Sequence, residues 1–141
     1  MDYVYGSSAP GTGWCYLHPG PADSWAGRRA HTFTLRFLPD EAPAADLGFA
    51  PWLTDTHAPL PGTADLALNG TLVETLAFAG GATKGSLAGY PTAPGSPLKP
   101  SFHELPLPAA AFIASENVLT PAETRGSRHA HDAIGVFAPA G

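Results

Sequence analysis

Glycine and proline recur at about every fourth or fifth position, and this density constrains the fold more than any other feature. Sixteen Gly and 16 Pro stand among the 141 residues. Because Gly loosens the backbone and Pro removes a hydrogen-bond donor, long helices are disfavoured. Hydrophobic residues make up 44% of the chain, enough for one core of ordinary size. We therefore expect a single all-β domain over residues 1–141.

The charge balance excludes two classes of partner. Seven basic residues stand against 12 acidic ones, which gives a net charge of -5. No basic stripe is available to neutralise phosphates, so we expect neither nucleic acid nor an anionic membrane as a partner. The single Cys15 excludes an internal disulfide. The N-terminus lacks the pattern of a signal peptide, so the chain is either cytosolic or a piece of a longer secreted protein.

Alternating residues predict the strands. Positions 31–37 place Phe33, Leu35 and Phe37 on one face, and Asn69-Gly70 sits between two alternating runs as the turn of a hairpin over 65–74. Further strands are predicted at 14–18, 47–54, 101–107, 117–120 and 130–137. A helical turn is predicted at 108–113 and a long surface loop at 80–101. Many short strands of this kind indicate an antiparallel sandwich.

Residues 13–27, with the core pattern HPGPxDxW, carry a family resemblance. This segment and the following strand resemble the carbohydrate-binding-module-like C-terminal domain (domain III) of family 4 polysaccharide lyases, the rhamnogalacturonan lyases. Further matches in the same order lie at 3–8, 55–57, 68–70, 116–119 and 131–134.

The resemblance implies a galactose-binding-like jelly-roll sandwich that contacts pectin-like polysaccharide beside a catalytic domain. The family's catalytic residues lie in a separate domain, so the resemblance implies no enzyme activity here. It also implies an extracellular location as part of a larger lyase. The chain departs from the family at Pro121, where an apolar strand usually continues, and at 128–131. Since Pro cannot donate to a ladder, the Pro121 strand is predicted to be an edge or to end early.

An aromatic stripe is the first candidate for carbohydrate binding. Period two places Trp14, Tyr16 and His18 on one face of the 14–18 strand. Sugar rings stack on aromatic side chains, and their hydroxyl groups need polar partners nearby. Packing of these aromatic residues in the core is the competing interpretation.

The Pro-rich turn at 18–25 is the second candidate. It would present Asp23, Trp25 and Arg28 as a rigid platform, on which Arg28 and its neighbour Arg29 could hold a uronate carboxylate. In the alternative, Asp23 binds backbone amides and Trp25 closes the core. Tyr90, in the long loop, completes the candidate carbohydrate-binding residues.

Histidine and aspartate near the C-terminus suggest two kinds of ion site. His129 and His131 would share one strand face, but two ligands do not make a transition-metal site. A structural calcium ion at Asp132, held with backbone carbonyls, is the more plausible ion. No cofactor is certain from the sequence.

Three functions follow from these observations. The leading hypothesis is a non-catalytic module that binds rhamnogalacturonan or another pectin-like polysaccharide and is normally attached to a polysaccharide lyase. The second is a structural domain that buttresses the catalytic domain of its parent lyase without independent binding. The third is a small metalloenzyme built around His129 and His131.

Overall fold

The structure, a computed structural model, describes residues 1–81 and 103–139, and strands dominate it. The strands are β1 (Asp2–Val4), β2 (Leu17–His18), β3 (His31–Thr32), β4 (Thr34–Phe37), β5 (Leu47–Thr56), β6 (Thr63–Leu68), β7 (Thr71–Ala77), β8 (Leu105–Leu107), β9 (Asn117–Arg125) and β10 (His129–Phe137). Helical structure in the described ranges is limited to α1 (Pro10–Gly13) and 3-10 turns at Ser24–Ala26 and Ala109–Ala111. The all-β prediction is confirmed. None of these helices is long and apolar enough to cross a membrane.

The strands form two sheets. The first has the order β1-β4-β9-β6-β7, with β3 also beside β9, and the second has the order β2-β10-β5-β8. The prediction of a purely antiparallel sandwich is wrong at one place, because β1 pairs with β4 in parallel. A parallel pair needs a long crossover connection, and the segment from 5 to 33 provides it.

The core lies between the two sheets. Both sheets contribute to one cluster of buried side chains, which contains Leu35, Phe49, Leu66, Leu68, Leu105, Leu107, Phe112 and Leu119. Strand β6 shows the period-two pattern, since Ala64, Leu66 and Leu68 are buried while the intervening residues are partly exposed. The two inner faces therefore pack together as a β-sandwich.

The hairpin predicted at Asn69-Gly70 is confirmed. Strands β6 and β7 pair in antiparallel register, with Leu68 opposite Thr71. Both turn residues have positive φ, 51° at Asn69 and 83° at Gly70. A type I′ turn needs this left-handed backbone at both central positions, so Asn-Gly specifies the connection.

Pro121 gives the clearest correction to the predicted strands. It does not end its strand, because β9 runs from Asn117 to Arg125 through the middle of the first sheet. The Pro121 carbonyl accepts a hydrogen bond of 2.9 Å from the Phe33 amide, so the ring nitrogen faces the same side. Phe33 lies between β3 and β4, where the ladder is already interrupted. The missing N–H of proline therefore falls at a gap in the ladder.

Candidate functional site

An open groove of about 610 Å³ is lined mainly by residues of β1 and β4 of the first sheet and of β10 of the second. We call it the aromatic groove; its aromatic and charged lining includes Tyr3, Tyr5, Trp14, Tyr16, Arg36 and Asp132. Strand β2 pairs only with the first two residues of β10. Farther along, the His131 amide donates to the Tyr16 carbonyl at 2.9 Å, which holds the segment before β2 beside β10.

Two kinds of aromatic residue line the aromatic groove. Trp14 is half-buried and packs edge-to-face on both Tyr3 and His131, with ring centroids 5.3 Å apart in each pair. Tyr5 and Tyr16, in contrast, are 77% and 56% exposed. Trp14 is therefore fixed in the wall by its neighbours, whereas the two tyrosines are accessible to a ligand.

Arg36 is held by two carboxylates at the edge of the aromatic groove. Its guanidinium donates to both Asp2 oxygens, at 2.9 and 3.1 Å, and to Glu116 at 3.3 Å. The hydrogen bonds that it donates to Asp2 and Glu116 raise the pKa of Arg36, and the bonds that Asp2 accepts lower the pKa of that carboxyl group. The one basic side chain that lines this groove among the described residues is thus already paired.

The predicted stripe at 14–18 is not a single strand face. Trp14 and Tyr16 line the aromatic groove, but β2 contains only Leu17 and His18, and Cys15 is exposed. His18 is buried, its ring stacks on Phe33 with centroids 3.9 Å apart, and its Nε2 contacts the His31 carbonyl oxygen at 2.6 Å. His18 therefore does not share the exposed side of Tyr16: its ring fills the interior, as the competing interpretation of core packing has it.

In the Pro-rich turn, the second predicted platform, Asp23 is buried like His18. It accepts hydrogen bonds from the Gly20 amide at 2.8 Å and the Ser127 hydroxyl at 2.5 Å. Burial alone would raise its pKa, but hydrogen bonds from Ser127, Gly20, the Arg128 backbone and Trp25 together lower it. The carboxylate thus holds the turn together and is not exposed for binding.

The remaining predicted binding residues do not line the aromatic groove. Trp25 is 60% exposed on the Ser24–Ala26 turn. Arg28 is also exposed and has a left-handed backbone, with φ of 52°. Tyr90 lies outside the described residues, as does most of the loop predicted at 80–101.

A buried polar cluster behind the Pro-rich turn was not anticipated from the sequence. The Glu123 Oε2 and His129 Nδ1 atoms lie 2.5 Å apart, and the Glu123 side chain is fully buried. Burial, with the charge of Asp23, raises the pKa of Glu123 to about 8, and burial lowers the pKa of His129. His131 is also buried, and neither ring nitrogen has a hydrogen-bond partner in the described part of the chain. The signal for this cluster was the alternation that places 121 and 123 on the buried side of β9 and 129 with 131 on the buried side of β10.

The ion sites expected near the C-terminus gain no support. His129 and His131 do share the buried side of β10, but they face the interior. Across residues 1–81 and 103–139, no group of three or more His, Cys, Asp or Glu side chains could hold a metal ion. A calcium site made of Asp132 and backbone carbonyls is not a group of this kind, so it stays a prediction.

Comparison with known proteins does not place the chain in a family. No family model and no curated protein matches it. Among solved structures, it is similar to the crystal structure of the insecticidal delta-endotoxin Cry8Ea1 from Bacillus thuringiensis, with 12% identity and a TM-score of 0.49. The match covers 88% of this chain and 24% of the endotoxin chain, so this chain spans about a quarter of that protein.

Proposed function

We propose that the domain is a non-catalytic carbohydrate-binding module and that the aromatic groove is its binding site. The observation that carries the proposal is the pair of exposed tyrosines, Tyr5 and Tyr16, beside the charged groups of Arg36 and Asp132. A sugar ring has apolar C–H faces that stack on aromatic rings and hydroxyl groups that need polar partners. This combination of residues suits both requirements.

The size of the aromatic groove fits a short glycan segment. Pockets for small organic ligands are roughly 300–1,000 Å³, and this groove measures about 610 Å³. Because it is open, a bound sugar would stay partly hydrated. We therefore expect a modest affinity, with a Kd in the range of about 1 μM to 1 mM.

The finer architecture and setting belong to the same proposal. The two-sheet sandwich is compatible with a galactose-binding-like jelly roll, as the resemblance of residues 13–27 to the rhamnogalacturonan lyases implies. In that setting the module is secreted as part of a larger polysaccharide lyase, its ligand is a plant cell-wall polysaccharide, and its partner is the catalytic domain.

A structural role is the second candidate. Leu38, at the margin of the aromatic groove, is 69% exposed, and apolar side chains form much of the lining. A buttressing domain would bury such a surface against its catalytic partner. In that case the isolated domain has no affinity for polysaccharide.

Native electrophoresis through gels that contain a polysaccharide tests the proposal. We expect retardation of the protein, and loss of retardation in Tyr5→Ala and Tyr16→Ala. Both side chains are mostly exposed, so these variants should stay folded. Leu72→Ala is the control, since Leu72 is equally exposed but lies on β7, away from the aromatic groove.

Trp25→Ala distinguishes the two candidate platforms. If this variant loses retardation while Tyr16→Ala keeps it, the binding site lies on the Pro-rich turn and the assignment to the aromatic groove is wrong. If no polysaccharide retards the wild-type protein, the structural role replaces the binding role.

A further inference from the structure

The side chain of Asn69, in the turn between β6 and β7, bonds to two other parts of the chain. Its Nδ2 atom donates to the Ala111 carbonyl oxygen at 2.9 Å and to Asn117 Oδ1 at 2.8 Å. Its Oδ1 atom accepts from the Val118 amide at 2.9 Å. All three bonds cross from the hairpin to residues 111–118, so one carboxamide group fastens the hairpin to the start of β9.

The backbone of Asn69 strengthens the same link. Its amide donates to the Val118 carbonyl oxygen at 2.8 Å, one residue beyond the pair that Leu68 and Leu119 form between β6 and β9. The Val118 amide in turn donates to Asn69 Oδ1, where a strand residue would offer its backbone carbonyl. The side chain therefore extends the ladder between β6 and β9 by one residue into the turn.

Asn117, which bonds to Asn69, is buried and anchors the segment before β9. Its Nδ2 atom donates to the Ile113 and Ser115 carbonyl oxygens, each at 2.9 Å, and its Oδ1 atom also accepts from the Ile113 amide at 3.0 Å. Asn69 and Asn117 are the two asparagines of the chain, which has no glutamine. Both carboxamide side chains of the protein thus meet at this one link.

Glycine follows Asn69, and this pair of residues allows the backbone to react with the side chain. The Gly70 nitrogen can attack Asn69 Cγ: the N–Cγ bond forms, the Cγ–Nδ2 bond breaks, and Nδ2 leaves with the Gly70 amide proton as ammonia. Water then opens the resulting succinimide at either of its two carbonyl groups, which gives aspartate or isoaspartate. Gly70 is exposed and has no side chain, so the turn is open to water and the approach of its nitrogen is unhindered.

We propose that Asn69 is a site of spontaneous deamidation and that the folded domain suppresses the reaction. For the reaction, Nδ2 has to leave both of its acceptors. Cγ also has to become tetrahedral, which draws Oδ1 away from the Val118 amide. The reaction therefore proceeds from conformations in which the hairpin has separated from residues 111–118. This inference does not depend on the proposed function.

The products of deamidation cannot re-form the link. In aspartate, a carboxylate oxygen takes the place of Nδ2 opposite the Ala111 and Asn117 oxygens, so two donated hydrogen bonds become contacts between acceptors. In isoaspartate, an additional methylene group enters the main chain of a two-residue turn, whose geometry fixes the register of β6 and β7. Deamidation therefore loosens this end of the sandwich permanently.

Incubation of the whole protein at mildly alkaline pH, with and without guanidinium chloride above its unfolding transition, tests the suppression. Peptide mapping by mass spectrometry follows the exchange of NH for O at Asn69 and Asn117. We expect Asn69 to react at least about tenfold more slowly in the folded protein than in the unfolded chain. Equal rates would overturn the proposal, and so would no reaction at Asn69 in the unfolded chain. A faster reaction in the folded protein would also overturn it, because the Val118 amide would then be activating Cγ through Oδ1.

Two substitutions test the effect of the product. Asn69→Asp imitates the aspartate product, whereas Asn69→Gly keeps the left-handed backbone of the turn and removes the carboxamide group. We expect Asn69→Asp to lower the Tm by about 5 °C or more, and by more than Asn69→Gly does. If Asn69→Asp matches the wild type, or is at least as stable as Asn69→Gly, the proposed loosening by the product is overturned.

Discussion

Glu123 and His129 share one proton inside the sandwich. Burial favours the uncharged form of each group, which raises the pKa of Glu123 and lowers that of His129. The protonated carboxyl group therefore donates to Nδ1 of the neutral imidazole over their 2.5 Å contact. A charged and unpaired group at either position would be strongly destabilising in this interior.

Substitutions at Glu123 test this hydrogen bond. A Gln side chain has nearly the same shape and can donate its amide N–H to His129, so Glu123→Gln should lower the free energy of unfolding by only about 1 kcal/mol. Glu123→Ala leaves a cavity and an unpartnered imidazole nitrogen, so it should lower this free energy by about 3–5 kcal/mol. Urea denaturation at pH 6.5 measures both values. Equal losses in the two variants would contradict the donor role of the carboxyl group.

At the scale of elements, two loops meet at glycine positions next to Glu123. A Cβ atom on Gly62 would lie within 2.7 Å of the Ser127 carbonyl oxygen and would overlap Glu123 Oε1. A Cβ atom on Gly126 would overlap the Pro61 carbonyl oxygen. The segments before β6 and after β9 can approach each other this closely because neither carries a side chain there.

Gly62→Ala should destabilise the domain, because it disturbs the close approach of the segments before β6 and after β9. Because its Cβ atom would meet a buried carboxyl group and fixed backbone, we expect a loss of about 3 kcal/mol or more in unfolding free energy. Gly11→Ala is the matched control: nothing lies within 4 Å of its Cβ position, so the change should be within about 0.5 kcal/mol. Thermal unfolding of both variants gives the comparison, and a tolerant Gly62→Ala would show that the loops can separate without loss of the fold.

Local patterns predicted elements well where backbone geometry alone decides the outcome. The Asn69-Gly70 hairpin follows from two positive φ angles, and the strand at 31–37 follows from alternation, although Phe33 divides it into β3 and β4. The effect of Pro121 could not be predicted, because it depends on which neighbouring strand its nitrogen faces. The neighbouring strand is determined by the strand order of the sheet, which the local sequence of the strand does not specify.

The same limit applies to the candidate site. Trp14 and Tyr16 could be named from the sequence, but Tyr3, Tyr5 and Arg36 join them only because β1 pairs in parallel with β4. His18 was placed on the same face as Tyr16 by its spacing, whereas the chain enters β2 only at Leu17. Local periodicity fails where a strand is two residues long.

On the scale of the whole molecule, stability should depend on pH through the buried polar cluster. Burial lowers the pKa of His18 and His131 to about 3, from an ordinary value of 6.5. Both imidazoles therefore stabilise the fold above pH 6.5, and this contribution is lost as the pH falls toward 3. The pair of Glu123 and His129 holds one proton when folded, up to about pH 8. In the unfolded chain the pKa values are the ordinary 4.5 for Glu123 and 6.5 for His129, so the two groups also hold one proton between pH 4.5 and 6.5. The pair therefore lowers the stability of the fold only below pH 4.5 and above pH 6.5.

Unfolding free energy should therefore be greatest near pH 6.5. Below this pH, His18 and His131 each contribute a loss of about 1.4 kcal/mol per pH unit, because the unfolded chain binds protons that the folded chain excludes. Between pH 6.5 and about pH 8, the folded Glu123 and His129 pair keeps a proton that the unfolded chain has lost. The unfolding free energy therefore falls as the pH rises, by about 1.4 kcal/mol per pH unit. Urea denaturation from pH 4.5 to 8.5 measures both slopes. His131→Leu removes one imidazole and should about halve the acid slope; a stability that is flat between pH 5 and 6.5 would show that the buried imidazoles gain protons without opening the fold.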